Sequence, residues 1–332
     1  MRRPISLLFI IVLLPSHPVW AQTALTILHT SEHHGTIQPI DQGAFAGHGG
    51  VEKRASLIKQ IRKEVEHLLV VDSGDLLTGT AMSSVFRGEA DIAAMNLMGY
   101  DAVAVGNHDF DFGTQHLKEL HKAANFSFLC SNVRPHAPDT CAPHIIKTLG
   151  TLRIGLIALI GRNTYPDTFS RTAVHEVEFQ YPIVAAKKTA EYLRDRVDLL
   201  VAITHQDTDE DLALAKAVPA LDVIIGGHTE GFDGLVPPGT TAPVEGRVAL
   251  AGVGPVFVKT HRQGRTLGRL DLVIHDKTVM VAEARNLPVT STMPSDPEVA
   301  KLVRAYVNRM EKKTNAGIGE VAQPDAPAPD TR

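Results

Sequence analysis

The chain has 332 residues, of which 44% are hydrophobic and 5% aromatic. This length allows one large α/β domain or two small ones. Its formal net charge is −4, which argues against a protein that binds nucleic acid through the phosphate backbone. A small ligand that carries phosphate would need local cations, and bound metal ions would supply them.

The first residues are typical of a secretory signal. Arg2 and Arg3 precede an apolar run at residues 5–14, and residues 19–21 resemble a cleavage site. A run of about ten apolar residues is too short to span a bilayer. We predict a signal peptide over residues 1–21 and a periplasmic or secreted protein, with a retained membrane anchor as the alternative. No later stretch of the sequence is long and apolar enough to span a membrane.

Seven short apolar runs, rich in Val, Ile and Leu, predict buried strands. They lie at residues 25–31, 67–73, 101–106, 126–132, 153–160, 197–204 and 221–226. Amphipathic helices are predicted between them at residues 51–67, 89–98, 114–124 and 182–196. The alternation of strands and helices predicts an α/β layered fold.

The pattern changes beyond residue 240. Three β-like runs, at residues 248–259, 269–275 and 278–283, predict a closing set of antiparallel strands in the same domain. The residues Ser-Asp-Pro-Glu at 295–298 predict a helix start, so we place a helix at residues 294–313. The segment 314–332, which contains Pro, Ala and Asp, is predicted to be disordered.

The chain has two cysteines, Cys130 and Cys141. Neither lies in a spacing typical of a zinc site. In an oxidising compartment a disulfide that closes the short loop between them is plausible, and two free thiols are the alternative.

Five of the predicted strands end in residues of the types that bind metal ions. These residues are Glu32, His34, Asp75, Asn107, His205, His228 and Glu230. In an open α/β sheet, ligands bind at the edge formed by the carboxyl ends of the strands. Two adjacent divalent ions need carboxylate, imidazole or amide donors, one of them a bridging carboxylate. The series therefore predicts a two-metal hydrolase.

His108 has a different predicted role, because it directly follows Asn107 and can face the substrate. A protonated imidazole there would stabilise a developing oxyanion or protonate the leaving oxygen. Asp111, three residues on, can orient the ring and hold its charge, and Asp109 is the less favoured partner.

Two other features near the predicted edge have open interpretations. Arg162 and Asn163 follow the apolar run 154–160 and could reach a phosphate, although an ordinary surface arginine is the simpler interpretation. The Gly-rich loop 43–50 is either a lid or a plain connector.

These motifs together resemble those of the calcineurin-like metallophosphoesterases. They are Glu32-x-His34-Gly35, Gly74-Asp75, the run GNHDFDFG at 106–113, Thr204-His205 and Gly226-Gly227-His228-Thr229. The most similar branch is the bacterial periplasmic 5′-nucleotidase/UDP-sugar hydrolase group, and residues 264–270 resemble the end of its catalytic domain. The resemblance covers residues 25–290.

The resemblance implies a four-layer α/β/β/α sandwich that forms a single catalytic domain, which we place at residues 22–293. It also implies two divalent metal ions bridged by Asp75, with a metal-bound hydroxide that attacks phosphorus. The implied ligands of one ion are Asn107, His205 and His228, and those of the other are Glu32, His34 and Glu230. His108 and Asp111 would form the catalytic dyad.

Two positions depart from the family pattern, and both belong to the same metal ion. The family usually has Asp at the position of Glu32 and His at the position of Glu230. An oxygen-rich set of ligands favours Mn²⁺ or Mg²⁺ there, with Zn²⁺ possible at the other position. We expect both ions to bind, and the alternative is that this one binds weakly or not at all.

A third departure concerns the substrate. Related nucleotidases carry a C-terminal domain that stacks the nucleobase between aromatic residues, and the helix at 294–313 resembles the connector to that domain. We expect no paired-aromatic pocket of that kind in this chain, which leaves nucleotide specificity open.

The predicted function is the hydrolysis of small phosphate esters such as nucleotides. One alternative is a thiosulfohydrolase-like enzyme that releases sulfate from a carrier protein. Another is a metal-binding protein without activity, against which the intact His108–Asp111 pair argues. The sequence leaves the oligomeric state open.

Overall fold

The computed structural model describes residues 22–232, 234, 246–249, 254–275 and 277–315. The predicted signal peptide at 1–21 and residues 316–332 of the predicted disordered tail lie outside this part of the chain. Within it, no helix has the length and hydropathy needed to cross a membrane.

Strands and helices alternate along most of the described chain. The strands are β1 (Thr23–Thr30), β2 (Leu68–Asp72), β3 (Ala102–Ala104), β4 (Ser127–Leu129), β5 (Val133–Pro135), β6 (His144–Leu149), β7 (Leu152–Ile160), β8 (Val177–Phe179), β9 (Leu199–His205), β10 (Val223–Gly226), β11 (Gly246–Ala249), β12 (Val256–Lys259), β13 (Thr266–His275) and β14 (Thr278–Pro288). The helices are α1 (Val51–Glu64), α2 (Ala81–Phe86), α3 (Glu89–Met98), α4 (Thr114–Ala123), α5 (Arg171–Val174), α6 (Pro182–Leu193), α7 (Thr208–Ala217) and α8 (Pro297–Asn315). Short 3₁₀ turns form at His108–Phe110 and Arg194–Arg196.

Two large β-sheets form the centre of the molecule. The first has the strand order β11-β14-β13-β1-β2-β3-β4, and the second has the order β12-β10-β9-β7-β6. Strands β1 to β4 are parallel to one another, as are β7, β9, β10 and β12. Parallel strands end at a common edge, so the loops after these strands lie on one side of each sheet.

Buried side chains divide the fold into four layers. On β2, Leu69 and Val71 face the second sheet, whereas Leu68 and Val70 pack with the helices of the first sheet. This alternation is the period of two expected of a strand. The apolar residues of α6 and α7 cover the outer face of the second sheet. The predicted four-layer α/β/β/α sandwich is therefore confirmed.

Helix α8 docks on the outer layer of the first sheet. The Asp296 carboxylate accepts a hydrogen bond from the Val299 backbone at 3.1 Å, which caps the helix where the sequence predicted its start. Lys59 Nζ lies 2.7 Å from the same carboxylate, and Tyr306 donates to Glu89 at 2.9 Å. The helix is thereby tied to α1 and α3.

The prediction for residues 248–259 was wrong in topology. This stretch contributes to both sheets, because β11 pairs with β14 in the first and β12 pairs with β10 in the second. The pairing of β12 is parallel, whereas an antiparallel strand was expected. All four residues of β12 are buried, as is usual for a parallel strand covered on both faces.

Cys130 and Cys141 form a disulfide. The bond joins the end of β4 to the segment that leads into β6. This decides between the two alternatives that the sequence left open.

Candidate metal centre

The loops that follow five parallel strands meet where the carboxyl edges of the two sheets adjoin. Glu32 N donates to Gly74 O at 3.0 Å, which joins the loops after β1 and β2. His205 Nδ1 lies 2.8 Å from Ser73 O, which joins the second sheet to the first. Each sheet therefore brings its own strand-end residues to one place.

Four of the predicted ligands have a left-handed backbone. The φ angles are 53° for Glu32, 49° for His34, 59° for Asp75 and 65° for His228. This region is unfavourable for residues other than glycine and costs on the order of 1–3 kcal/mol each when the surrounding structure enforces it. Strain of this kind concentrates at functional sites.

The predicted ligands form two groups that share one carboxylate. Asp75, His205 and His228 make one group, and Glu32, His34 and Asp75 make the other, with ligand atoms in each group within 4.8 Å of one another. Asn107 Oδ1 lies 3.1 Å from His205 Nε2 and so adjoins the first group. The structure thus brings six of the seven predicted ligands together, with Asp75 between the two groups.

The centre is buried and strongly charged. Glu32, Asp75 and His205 are at most 2% exposed, and His205 Nε2 lies 3.3 Å from Asp75 Oδ2. Burial alone would lower the pKa of His205, but the charges of Asp75 and Glu32 raise that pKa to about 10. Burial opposes ionisation of Asp75 as well, yet the His205 charge keeps its pKa below the usual range. Buried carboxylates need positive charge nearby, which the protonated imidazole supplies in the absence of metal. A bound metal ion would supply this charge in place of the imidazole proton.

The structure does not bring Glu230 into either group. Both of its carboxylate oxygens accept hydrogen bonds from Arg265 Nη2, at 2.6 and 2.7 Å. Arg262 Nε lies 3.5 Å from the same carboxylate, which is 49% exposed. Metal ligation by Glu230 therefore requires the Arg265 ion pair to open, and this role stays a prediction.

His108 and Asp111 lie next to the two groups. Their Nδ1 and Oδ2 atoms are 2.8 Å apart, with the His108 side chain 34% exposed and the Asp111 side chain 6% exposed. The His108 backbone donates to Asp75 Oδ1 at 2.9 Å. Burial lowers the pKa of His108, but the hydrogen bond to Asp111 and the charge of Asp75 outweigh it and raise the pKa to about 9. The predicted pair is therefore in contact and half-open to solvent.

Asp109 has a role that the sequence did not indicate. Its carboxylate accepts backbone hydrogen bonds from Gly106 at 2.8 Å, Asp75 at 3.0 Å, Leu76 at 2.8 Å and Leu77 at 3.3 Å. It therefore fastens the loop that carries Asp75 to the loop that carries His108. No spacing rule could reveal this, because the two loops are about thirty residues apart and meet only in the fold.

His33 is also explained only by the structure. It lies between two predicted ligands, but its ring points inward, with Nε2 3.0 Å from Asp91 Oδ1. Arg54 Nη2 approaches its other ring nitrogen at 3.4 Å, and all three side chains are buried. His33 is therefore buried against Asp91 and Arg54 and does not belong to either candidate metal group.

Comparison with known proteins identifies the family. The calcineurin-like phosphoesterase model matches residues 25–230. The snake venom 5′-nucleotidase of Gloydius brevicauda is 31% identical over 306 residues, which cover 86% of this chain and 51% of that protein. Protein UshA of Yersinia enterocolitica is 26% identical over 348 residues, which cover 90% of this chain and 61% of that protein. The chain thus spans little more than half the length of these relatives.

Solved structures agree with this result. A 5′-nucleotidase precursor from Thermus thermophilus has a TM-score of 0.77 and 27% identity, over 88% of this chain and 60% of that one. Sulfate thiohydrolase SoxB from Thermus thermophilus has a TM-score of 0.71 and 19% identity, over 87% and 61% of the two chains, and shares the fold alone. The predicted family is confirmed: the chain belongs to the calcineurin-like phosphoesterases, and its relatives include 5′-nucleotidases.

Proposed function

We propose that the chain is a metal-dependent phosphoesterase that hydrolyses small phosphate esters such as nucleotides, as the related 5′-nucleotidases do. The observation that carries this proposal is the position of Asp75, which belongs to both candidate metal groups. Its Oδ1 atom also accepts the backbone hydrogen bond of His108. One buried carboxylate therefore links the place for two cations to the proposed acid.

The side chains present fit a pair of divalent ions. Two carboxylates, three imidazoles and an amide oxygen converge at one edge, and both carboxylates are buried, so they need positive charge. Bound divalent ions would neutralise charge on the phosphate oxygens and make water a nucleophile at neutral pH. Asp75 would serve both ions. The carboxylate of Glu32, with Glu230 if its ion pair opens, favours Mn²⁺ or Mg²⁺ at that position, and Zn²⁺ suits the imidazole-rich one.

The proposed work of His108 is proton transfer to the leaving ester oxygen. Its Nδ1 faces Asp111, which fixes the ring and leaves Nε2 as the atom for the substrate. Asp111 is nearly buried, so it holds a constant orientation and favours the protonated ring. The backbone bond from His108 to Asp75 keeps this acid at a fixed place relative to the cation site.

We also propose that the protein acts in the periplasm or outside the cell. The predicted signal at residues 1–21 supports this, although it lies outside the described residues. The Cys130–Cys141 disulfide supports it independently, because disulfides persist mainly in oxidising compartments.

A substrate screen on Mn²⁺-loaded protein tests the function, with the bound metal counted in the same sample. An aryl phosphate, nucleoside monophosphates and cyclic nucleotides should be compared. We expect hydrolysis with about two ions per chain, and a fall in kcat of about 10²- to 10⁴-fold in His108→Ala. His136→Ala is the matched control, because His136 is exposed and lies outside the centre; its rate should equal that of the wild type.

Other outcomes would redirect the proposal. If His108→Ala kept the wild-type rate, the dyad would be rejected. If no phosphate ester were cleaved but sulfate were released from a sulfonated carrier protein, the chain would be a thiosulfohydrolase. If neither reaction occurred on a fully loaded sample, a binding protein without activity would remain.

A further inference from the structure

A pocket of about 500 Å³ opens at the carboxyl edge of the second sheet. Its walls come from the loop after β7, which includes Arg162, Asn163 and Tyr165, and from Phe179 and Tyr181 ahead of α6. The volume falls within the range of pockets for small organic ligands. None of these side chains belongs to the proposed metal or proton-transfer groups.

The loop that forms this pocket is attached at both ends to the metal centre. At its start, Gly161 N donates to His205 O at 2.9 Å. Near its end, Thr168 O accepts a hydrogen bond from Asn107 Nδ2 at 3.0 Å. Arg162 lies two residues beyond the strand partner of His205, and two residues span at most about 7 Å. The pocket therefore lies beside the proposed ligands of one ion.

A third connection runs through Asp207. Asn163 Nδ2 donates to Asp207 Oδ2 at 3.2 Å, and Asp207 Oδ1 lies 4.0 Å from His228 Nε2. One side chain thus separates the pocket from a third proposed ligand. The pocket is thus next to the place proposed for the phosphate of a substrate.

The pocket presents flat aromatic faces on a fixed backbone. Tyr165 stacks face to face on Phe179, with ring centroids 4.5 Å apart and planes 8° apart. The backbone N–H groups of Arg162 and Asn163 both donate to Glu210 Oε1, at 2.8 and 3.2 Å. The loop is therefore held in place by its main chain and by the side chain of Asn163.

Tyr181 and Arg162 supply the exposed part of the pocket. At 57%, Tyr181 is the most exposed large hydrophobic side chain in the described part of the chain. The Arg162 guanidinium lies 5.6 Å from the centre of its ring. Both groups favour stacking with a planar ring, through π–π and cation–π contacts. A single exposed tyrosine is common on protein surfaces. An exposed tyrosine paired with an arginine next to the proposed site indicates a binding role.

We propose that this pocket binds the planar ring of the substrate, and that the substrates are nucleoside monophosphates or other phosphate esters with an aromatic group. The proposal rests on the proposed phosphoesterase function. It places recognition of the ring within this domain, on the loop after β7 and on Tyr181.

The test compares two substrates that differ by the ring alone, adenosine 5′-monophosphate and ribose 5-phosphate. In Tyr181→Ala we expect KM for the nucleotide to rise at least about fivefold with kcat unchanged, because the stacking contact between the base and the aromatic side chain is lost. KM for ribose 5-phosphate should not change. Tyr181→Phe keeps the ring and should restore the wild-type KM. Arg162→Gln should also raise KM for the nucleotide alone.

The chain offers a matched control near the other end of α6. Tyr192 is 50% exposed, and Arg196 lies over its ring at 4.1 Å. It stands eleven residues from Tyr181, about 16 Å along α6 and so away from the carboxyl edge. Tyr192→Ala should leave KM unchanged for both substrates.

Equal effects of Tyr181→Ala on both substrates, or no effect on either, would overturn the proposal. If wild-type protein loaded with metal cleaves no ester, the proposed function fails, and calorimetry with adenosine 5′-monophosphate then tests the pocket by itself. Binding weakened at least about fivefold by Tyr181→Ala, but not by Tyr192→Ala, would support the pocket. Unchanged binding would reject it.

Discussion

Four of the predicted metal ligands have a strained backbone conformation. Glu32, His34, Asp75 and His228 all have positive φ angles, although none of them is glycine. Such a conformation persists only where the surrounding structure enforces it. This conformation directs the carboxylates and imidazoles towards one another. Substitution by glycine would therefore remove the backbone strain and the proposed ligand at the same time.

The two glutamates predicted as metal ligands should respond differently to substitution. Glu32 is buried within a candidate metal group, whereas the Glu230 carboxylate accepts hydrogen bonds from Arg265. We expect Glu32→Gln to retain about one ion per chain after Mn²⁺ loading and gel filtration, and Glu230→Gln to retain about two. Plasma mass spectrometry would give the counts. Equal losses in both variants would mean that Glu230 leaves Arg265 to bind the metal.

A buried histidine should make stability depend on pH. Burial lowers the pKa of His29 to about 3, so the folded state keeps this ring neutral while the unfolded state takes up a proton below its ordinary pKa of about 6.5. The contribution is complete above pH 6.5 and is lost as the pH falls towards 3. For metal-free protein, this residue alone should lower the free energy of unfolding by about 2 kcal/mol between pH 7 and pH 5.

Urea unfolding at the two pH values measures this effect. His29→Leu should show a pH dependence smaller by that amount, because the titrating group is gone. His136→Leu, which changes an exposed histidine, should keep the wild-type dependence. If the free energy of unfolding of His29→Leu depended on pH as strongly as that of the wild type, His29 would not be the residue responsible.

Elements with a strong periodic pattern were the predictable ones. The strands that lead to Asp75 and His205 and the helices α1, α3, α4 and α6 form within a few residues of their predicted limits. The periodic pattern did not predict helix α7, although the capping box of Asp207 and Glu210 is a sequence signal for the start of a helix. The sheet joined by β12 could not be predicted, because a short apolar run does not tell which neighbour it will pair with.

The connection between the loops after β2 and β3 is also testable. Asp109 accepts four backbone hydrogen bonds that hold these loops together. Asp109→Asn exchanges one accepting oxygen for an amide donor, so buried N–H groups lose their partner. We expect the free energy of unfolding to fall by about 2–3 kcal/mol and Mn²⁺ affinity to fall with it. Urea unfolding measures the free energy of unfolding, and calorimetric titration measures the Mn²⁺ affinity. A wild-type Mn²⁺ affinity in the variant would show that Asp109 stabilises the fold but does not position the proposed ligands.

At the scale of the whole molecule, the motifs at the strand ends were enough to recognise the family, and the resemblance implied the four layers. The partners of those residues were not predictable. The Arg265 ion pair with Glu230, the Asp91 contact of His33 and the pocket around Tyr181 each join segments that are distant in sequence. Such contacts depend on how two sheets and their helices pack, which no local pattern encodes.

The division of the site between two sheets has one further consequence. The first sheet carries Asp75 and Asn107, and the second carries His205 and His228. The distance between these pairs is set by the apolar layer between the sheets, which includes the small side chains of Ala102 and Ala104. Residues outside both candidate metal groups thus set the spacing of the proposed ligands. Substitutions that change the side-chain volumes of this layer would therefore change the affinity for metal while every proposed ligand stayed the same.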